Sequence, residues 1–368
     1  MKTRAKKKPN TNTNVKTQTG GGLKGKGYKI ALGIVIALII LVIAAVAGFF
    51  VLRAAGKSSL KKNIANAAPV LAADTETGFE EEGVVYHNGQ KYRYNEELTT
   101  ILCIGVDSRE DTLKKNETLG NSGQADAIFL LVIDEANQKM SVIAIPRDTM
   151  TRIDVYDLSG QYYNTVEAQL ALQYAYGDGA MLSCEMMEKA VSNLMYQLPI
   201  HACAAINMNA IGVVNDAVGG VTLTALEDLE EDYGSMYKEG ETVTLMGDEA
   251  RLYVQARNEN EDYSAVKRLA RQKQYLLAFM GQAIQAMKSD ITLPLTIYGE
   301  LSEYMVTDVT AGEITYLATA ALNCSFSEDS FYIVAGEQEK GEVYEEYHVD
   351  EDALYEMILD IFYIPEED

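Results

Sequence analysis

The chain has 368 residues and a net charge of −23, yet its first 29 residues carry nine Lys and Arg and no acid. The remainder holds 22 basic against 54 acidic side chains, a field that repels nucleic acid, so no nucleic-acid partner is expected and an anionic ligand needs a local basic pocket. Four cysteines without a Cys-x-x-Cys pair and three scattered histidines (His87, His201, His348) exclude zinc sites of the usual spacing.

In chain order, residues 1–29 read as a disordered basic tail rich in Asn, Thr, Gly and Lys. Ile30–Leu52 follows as an uncharged apolar run, about 35 Å long as a helix and able to cross a bilayer. It is too long for the apolar region of a cleaved signal peptide, which favours an uncleaved anchor. Near the run the flanking charges tie, Lys16, Lys24, Lys26 and Lys29 against Arg53, Lys57, Lys61 and Lys62. The whole tail tips the balance toward a cytoplasmic N-terminus and a body outside the membrane. Residues 53–97 read as a membrane-proximal linker with a small hairpin at Asn88-Gly89.

The body opens with strand patterns at Thr99–Val106, Ala127–Ile133 and Met140–Ile145. Helices are expected over about 166–176, 181–196, 264–288 and 350–362, with a further strand at 201–208. Mixed elements of this kind predict an α/β fold, a layered α-β-α body on a central mixed sheet. The expected divisions are a catalytic domain over 98–290 and a C-terminal extension over 291–368 packed on it. Cys103 reads as core, and Cys184 and Cys203 as a pair that a bridge could join.

Three polar clusters sit at strand ends, where α/β sites are built. They are Gly105-Val-Asp-Ser-Arg109, Asp126, and Pro146-Arg-Asp148. Taken singly, each is an ordinary strand-end turn; together they can converge on one rim, where carboxylates and arginine forks suit a divalent metal and a diphosphate. A basic group at Arg257, Lys267, Arg268, Arg271 and Gln272, with Asp262 nearby, stands out in so acidic a chain; it reads equally as a solvated helix face.

The order Ile101-Leu-Cys-Ile-Gly-Val-Asp-Ser-Arg109, Ala125-Asp126, Ile145-Pro-Arg-Asp-Thr149, Ala175-Tyr-Gly-Asp-Gly179, Asn215–Val221, Leu245–Val254, Arg257 and Arg268-Leu-Ala-Arg-Gln272 resembles the LytR-CpsA-Psr (LCP) family over residues 98–290. The resemblance implies a membrane-anchored phosphotransferase that moves a glycopolymer (teichoic acid, capsule or similar) from a polyprenyl diphosphate to peptidoglycan. A lipid-diphosphate phosphatase or a non-catalytic surface regulator is the alternative. Carried over by position, Asp107 and Asp126 would hold Mg²⁺. Arg109, Arg147, Arg257, Arg268 and Arg271 would clamp phosphate oxygens, Gln272 would support that shell, and Asp148 would orient Arg147. Asp107, Arg147 and Arg257 are the expected catalytic residues. The sequence departs from the family pattern at Gln255, where an arginine is usual, at Ala265, where an aspartate is usual, and at Gln169–Leu172.

Overall fold

A computed structural model of the protein describes residues 24–62, 68–71, 82–108, 110, 112–157, 159–229, 237–256, 264–341 and 344–366, with side chains from Ile43 and from Lys267 onward in the two helices that begin at Lys24 and Ser264. The expectations for residues 1–23, Arg109, Arg257 and Asp262 lie outside the described residues.

Helix α1 (Lys24–Lys62) contains the whole apolar run. It is long and apolar enough to cross a membrane, and Ile43, Val46, Phe50 and Val51 are exposed along it. Its last turns, from Leu52, belong to the body, where Leu60 is fully buried beside Tyr316. Arg53 and Lys57 both pair with Glu135.

Strands β1 (Val84–His87) and β2 (Gln90–Tyr94) form the expected hairpin. Asn88 and Gly89 take φ of 52° and 78° at its turn, the left-handed geometry that matches the strands' own twist.

The sheet that positions the site begins with β3 (Thr99–Asp107), β4 (Gln124–Asp134) and β5 (Lys139–Ala144). These three pair antiparallel. The hairpin β6 (Met150–Tyr156) and β7 (Tyr162–Gln169) comes next, then α2 (Ala171–Tyr176) and α3 (Met181–Leu194). Strand β8 (Ala202–Asn207) lies parallel to β3. A helix over 166–176 is therefore a correction: its first part is strand, with Val166 paired to Ile153. Val166 and Ala168 reach the core while Glu167 is exposed. That period of two is a strand's, and a helix would bring side chains to one face every three or four residues.

A smaller unit follows, with α4 (Ile211–Ala217), β9 (Val221–Thr224), β10 (Thr242–Leu245), α5 (Asp248–Gln255) and α6 (Ser264–Ser289) around Tyr253 and Tyr275. Beyond it lie α7 (Leu293–Glu300), β11 (Met305–Thr307), α8 (Ala311–Asn323), β12 (Phe331–Ile333), β13 (Gly336–Lys340), β14 (Glu345–Val349), α9 (Glu351–Phe362) and β15 (Tyr363–Glu366).

The central sheet runs β11-β8-β3-β4-β5-β12. Both outer strands come from beyond residue 290, and β15 pairs with β2, so residue 290 marks no break in the body. Because helices cover both faces, these strands read as continuous apolar runs rather than alternating ones. Leu102, Ile104, Ile128 and Leu130 pack against Tyr174, Met187 and Ile358 of α2, α3 and α9. Ile101 and Ile133 share the opposite core with Tyr316 and Ala320 of α8. Val142, Phe129 and Phe331 meet Leu276 and Leu277 of α6. All four cysteines are free; Cys184 and Cys203 are buried in the first of these cores, while Cys103 packs at the edge of the second.

Candidate active site

The polar ends of β3, β4 and β5 meet at one rim because the three strands are neighbours in register. Val106 pairs with Ala125, and the ladder slips between Gly105 and Val106. The extra residue is Asp126 of β4, since Gly105 faces Ala127 and Val106 faces Ala125; a bulge of this kind bends its strand and re-aims the side chain it carries, while Asp107 ends β3. Asp126 projects from β4 and Arg147 from the turn after β5. The Arg147 guanidinium pairs with the Asp126 carboxylate, donates to Gln124 Oε1 at 2.6 Å, and lies 3.3 Å from Asp148 Oδ1. Gln169 in turn donates to Asp148 at 3.1 Å, and the Tyr347 amide donates to the Asp148 carbonyl at 3.0 Å.

Two cavities meet at the Arg147–Asp126 pair, and both residues line each of them. One is a polar basin of about 540 Å³ with Asp107, Lys114, Asn116 and Gln124 on its walls. The other is a slot of about 130 Å³ between Ile128, Phe129, Ile145, Leu269 and Ile333, with Asp148, Arg268 and Gln272 at its polar side. One ion pair thus separates a polar, charged chamber from an apolar one.

Burial is the largest influence on Asp126 and holds its pKa above the usual carboxylate value; Arg147 pulls the other way and Asp107 adds to the rise. Asp148 is raised for the same first reason, against the pull of Arg147 and Arg268. The site therefore holds carboxyl groups whose proton affinity is higher than in water, as a proton acceptor requires.

Of the residues expected at the site, Asp107, Asp126, Arg147, Asp148, Arg268 and Gln272 line the two cavities. Arg271 lines neither. It is 3% exposed, donates to Tyr253 O at 2.9 Å, and also engages Ala256 O and Glu227. Its fork ties α6 to the end of α5, so this arginine is corrected from phosphate clamp to internal tie. The helical spacing that put it beside Gln272 left its direction open.

Two further residues were not singled out from the sequence. Gln124 stands two residues before Asp126 and shares its partner Arg147; the bulge at Asp126 breaks the alternation that would have flagged it. Arg251, on α5, donates to Asp248 at 2.5 and 2.8 Å and to Gln255 at 2.7 Å, and is close enough to feel Asp107. A guanidinium therefore stands one helical turn before Gln255, the position where the family pattern has arginine.

Among the described residues, no three carboxylates, imidazoles or thiols converge as a metal cage. Asp107 and Asp126 do lie on one chamber and within each other's field. Mg²⁺ commonly uses such a pair, with substrate phosphates and water filling its shell, so the donor set fits.

The family model of LytR_cpsA_psr matches residues 59–359, a span that takes in the strand-end motifs, the central sheet and this rim. The chain belongs to the LytR_cpsA_psr family. It is 29% identical over 212 residues to a polyisoprenyl-teichoic acid–peptidoglycan teichoic acid transferase TagU of Halalkalibacterium halodurans, a match over 57% of this chain and 60% of that relative. The LytR_cpsA_psr fold is also that of B. subtilis TagV, with a TM-score of 0.56 at 21% identity over 72% of this chain and 96% of that one. TagT bound to LIIa-WTA superposes with a TM-score of 0.52 at 16% identity, over 72% of this chain and 89% of that one.

Proposed function

We propose that the protein is a phosphotransferase that moves a teichoic-acid-type glycopolymer from a polyprenyl diphosphate to peptidoglycan, working outside the cell membrane to which α1 anchors it. The observation that carries this reading is the Arg147–Asp126 pair at the junction of an apolar slot and a polar basin. A polyprenyl diphosphate is itself an apolar chain joined to a charged head. The teichoic acid transferase activity for which the TagU relatives are named supports the choice of polymer and acceptor.

In this reading the prenyl chain enters the slot between Ile128, Phe129 and Leu269. Arg147 and Arg268 face the diphosphate oxygens, where a guanidinium fork matches phosphate geometry. Asp107 and Asp126 would hold a divalent cation, which would supply charge for the oxygens of the leaving phosphate. An acceptor hydroxyl in the basin attacks the glycan-bearing phosphorus. The bond to the bridging oxygen breaks, polyprenyl phosphate leaves with that oxygen, and the hydroxyl proton passes to a carboxylate of the rim. The residues chiefly position and neutralise, as phosphoryl transfer demands.

The test uses the full chain in lipid vesicles with a short-chain polyprenyl diphosphate carrying a glycopolymer. With peptidoglycan present, covalently linked polymer should form, and Arg147→Ala should lower kcat/KM by roughly 100-fold or more, as loss of a preorganised transition-state donor does. Cleavage that yields only free phosphoglycan, with or without acceptor, would replace transferase by phosphatase. Full activity in Arg147→Ala would remove the reading.

A further inference from the structure

The hairpin β6–β7 leaves the candidate active site and carries a second cavity along one face. Its register pairs Met150 with Gln169, Arg152 with Glu167, Asp154 with Thr165, and Tyr156 with Tyr162. Side chains alternate along a strand, so the first three rungs share a face; the register slips between Val155 and Tyr156, and the bond between the Tyr162 and Thr165 hydroxyls ties the fourth pair to that face. The opposite face, with Ile153, Val166 and Ala168, is committed to the core. The first rung adjoins the catalytic rim, because Gln169 donates to Asp148. From there the stripe climbs four residues to Asp154 and six to Tyr156, roughly 13–20 Å at the rise of a strand.

Beside this stripe lies a groove of about 440 Å³, walled by Arg152, Asp154 and Thr165 of the hairpin and by Lys189, Asn193 and Tyr196 from α3 and its end. Its floor is built. Gln173, 1% exposed, accepts from Asp154 N at 2.8 Å and donates to Asp154 O at 2.9 Å. Asp154 accepts from Thr165 at 2.7 Å and from Lys189 at 2.5 Å, and Tyr162 shares a 2.8 Å hydrogen bond with Thr165. Tyr156 and Tyr162 meet edge to face with centroids 6.1 Å apart, and Tyr162 keeps 57% of its surface exposed.

The charges of this stripe cancel, Arg152 and Lys189 against Asp154 and Glu167. A polyanion would gain nothing here, within a body that is strongly acidic overall. A neutral, hydroxyl-rich and amide-rich chain fits instead. Tyrosine rings offer it apolar faces with polar tips, and Asn193 and Gln197, both exposed on the groove, offer amide donors and acceptors. We propose that this groove is the acceptor subsite, which holds a strand of N-acetylated amino sugars several units away from the hydroxyl presented at the catalytic rim. The inference rests on the phosphotransferase reading for its word acceptor; the sugar binding itself does not depend on it.

The experiment titrates the full chain in detergent with soluble, uncross-linked glycan strands of N-acetylglucosamine and N-acetylmuramic acid whose lactyl carboxyls are amidated, so that the strand is neutral, and separately with poly(glycerol phosphate). Tyr162→Ala combined with Asn193→Ala removes two exposed side chains and should leave folding intact. It should weaken strand binding roughly tenfold, as truncating an aromatic anchor does, and raise the strand KM in transfer by a similar factor. Cleavage of the polyprenyl diphosphate with water as acceptor should keep its parent rate. Tyr162→Phe should retain most of the affinity. Unchanged strand affinity and KM in the double variant would overturn the proposal, as would a loss confined to poly(glycerol phosphate). A parent chain that binds strands through Tyr162 but cleaves no diphosphate would sink the phosphotransferase reading and leave the sugar groove standing.

Discussion

Arg271 and Arg147 show how one side chain type takes two roles within one molecule. Arg271 is sealed between α5 and α6, with its donors on Tyr253 O, Ala256 O and Glu227. Removing it leaves two carbonyls without their donors and Glu227 with Lys267, 3.5 Å away, in place of the fork. Arg271→Ala should therefore cost about 3–5 kcal/mol, the range for breaking a buried pair from one side, measured by urea unfolding. Arg271→Lys should recover little, since a point charge cannot reproduce the fork. Arg147 instead faces two cavities, and its partner Asp126 is held protonatable by burial. Asp126→Asn keeps the shape and removes the charge. We expect it to leave the unfolding midpoint nearly unchanged while abolishing most divalent-cation dependence of turnover, followed in a metal titration after chelation. An unchanged metal titration would take Asp126 out of the cation site.

At the scale of elements, the end of α1 and the start of α8 touch through two glycines. A Cβ on Gly56 would lie 2.1 Å from Gly312 O and 2.7 Å from Glu313 N, both backbone atoms that cannot swing away. This close crossing brings Arg53 and Lys57 to Glu135 and seats Leu60 beside Tyr316. Gly56→Val should force the helices apart and cost about 1–3 kcal/mol, the usual penalty of overpacking, read as a lowered melting temperature of the chain in detergent. A melting temperature equal to the parent's would show that the contact is dispensable. The same scale explains the misread segment at 166–176. Local composition there suits a helix, yet pairing with β6 fixes a strand, and the extended hairpin that results carries the groove beyond the catalytic rim.

For the molecule as a whole, a buried histidine and a half-buried glutamate act in opposite directions over nearly the same pH window. His201, its Nδ1 accepting from Thr100 N at 3.1 Å, has its pKa lowered by burial to about 4. The unfolded chain binds that proton more readily, so this contribution to stability is lost as pH falls from about 6.5 toward 4. Burial first, then Asp308 and Glu185, raise Glu188 to about 7. There the folded chain binds the proton more readily, so stability is lost as pH rises from about 4.5 to 7. Glu188→Gln should thus be more stable than the parent above pH 7 and lose stability more steeply on acidification, checked by melting temperature against pH. Parallel curves for the two proteins would remove Glu188 from this balance.

Reading the chain alone determined the long apolar run, the three strand cores and the polar residues at their ends, because continuous hydrophobic runs and their breaks are local facts. The Asn-Gly hairpin and the helices at 264–289 and 351–362 were legible for the same reason. Motif order carried the family as well. Tertiary structure alone decided which polar residues meet. Neighbouring strands in register gathered Asp107, Asp126 and Arg147, whereas helical spacing could not tell that Arg268 lines the slot while Arg271 turns inward to α5. It also decided that β11 and β12, from beyond residue 290, close the central sheet, and that the last turns of α1 belong to the body. Each of these depends on a partner far away in sequence, and no local pattern encodes such a partner. The rim on which the lipid-diphosphate reading rests is thus spelled out strand by strand in the sequence and assembled only by the fold.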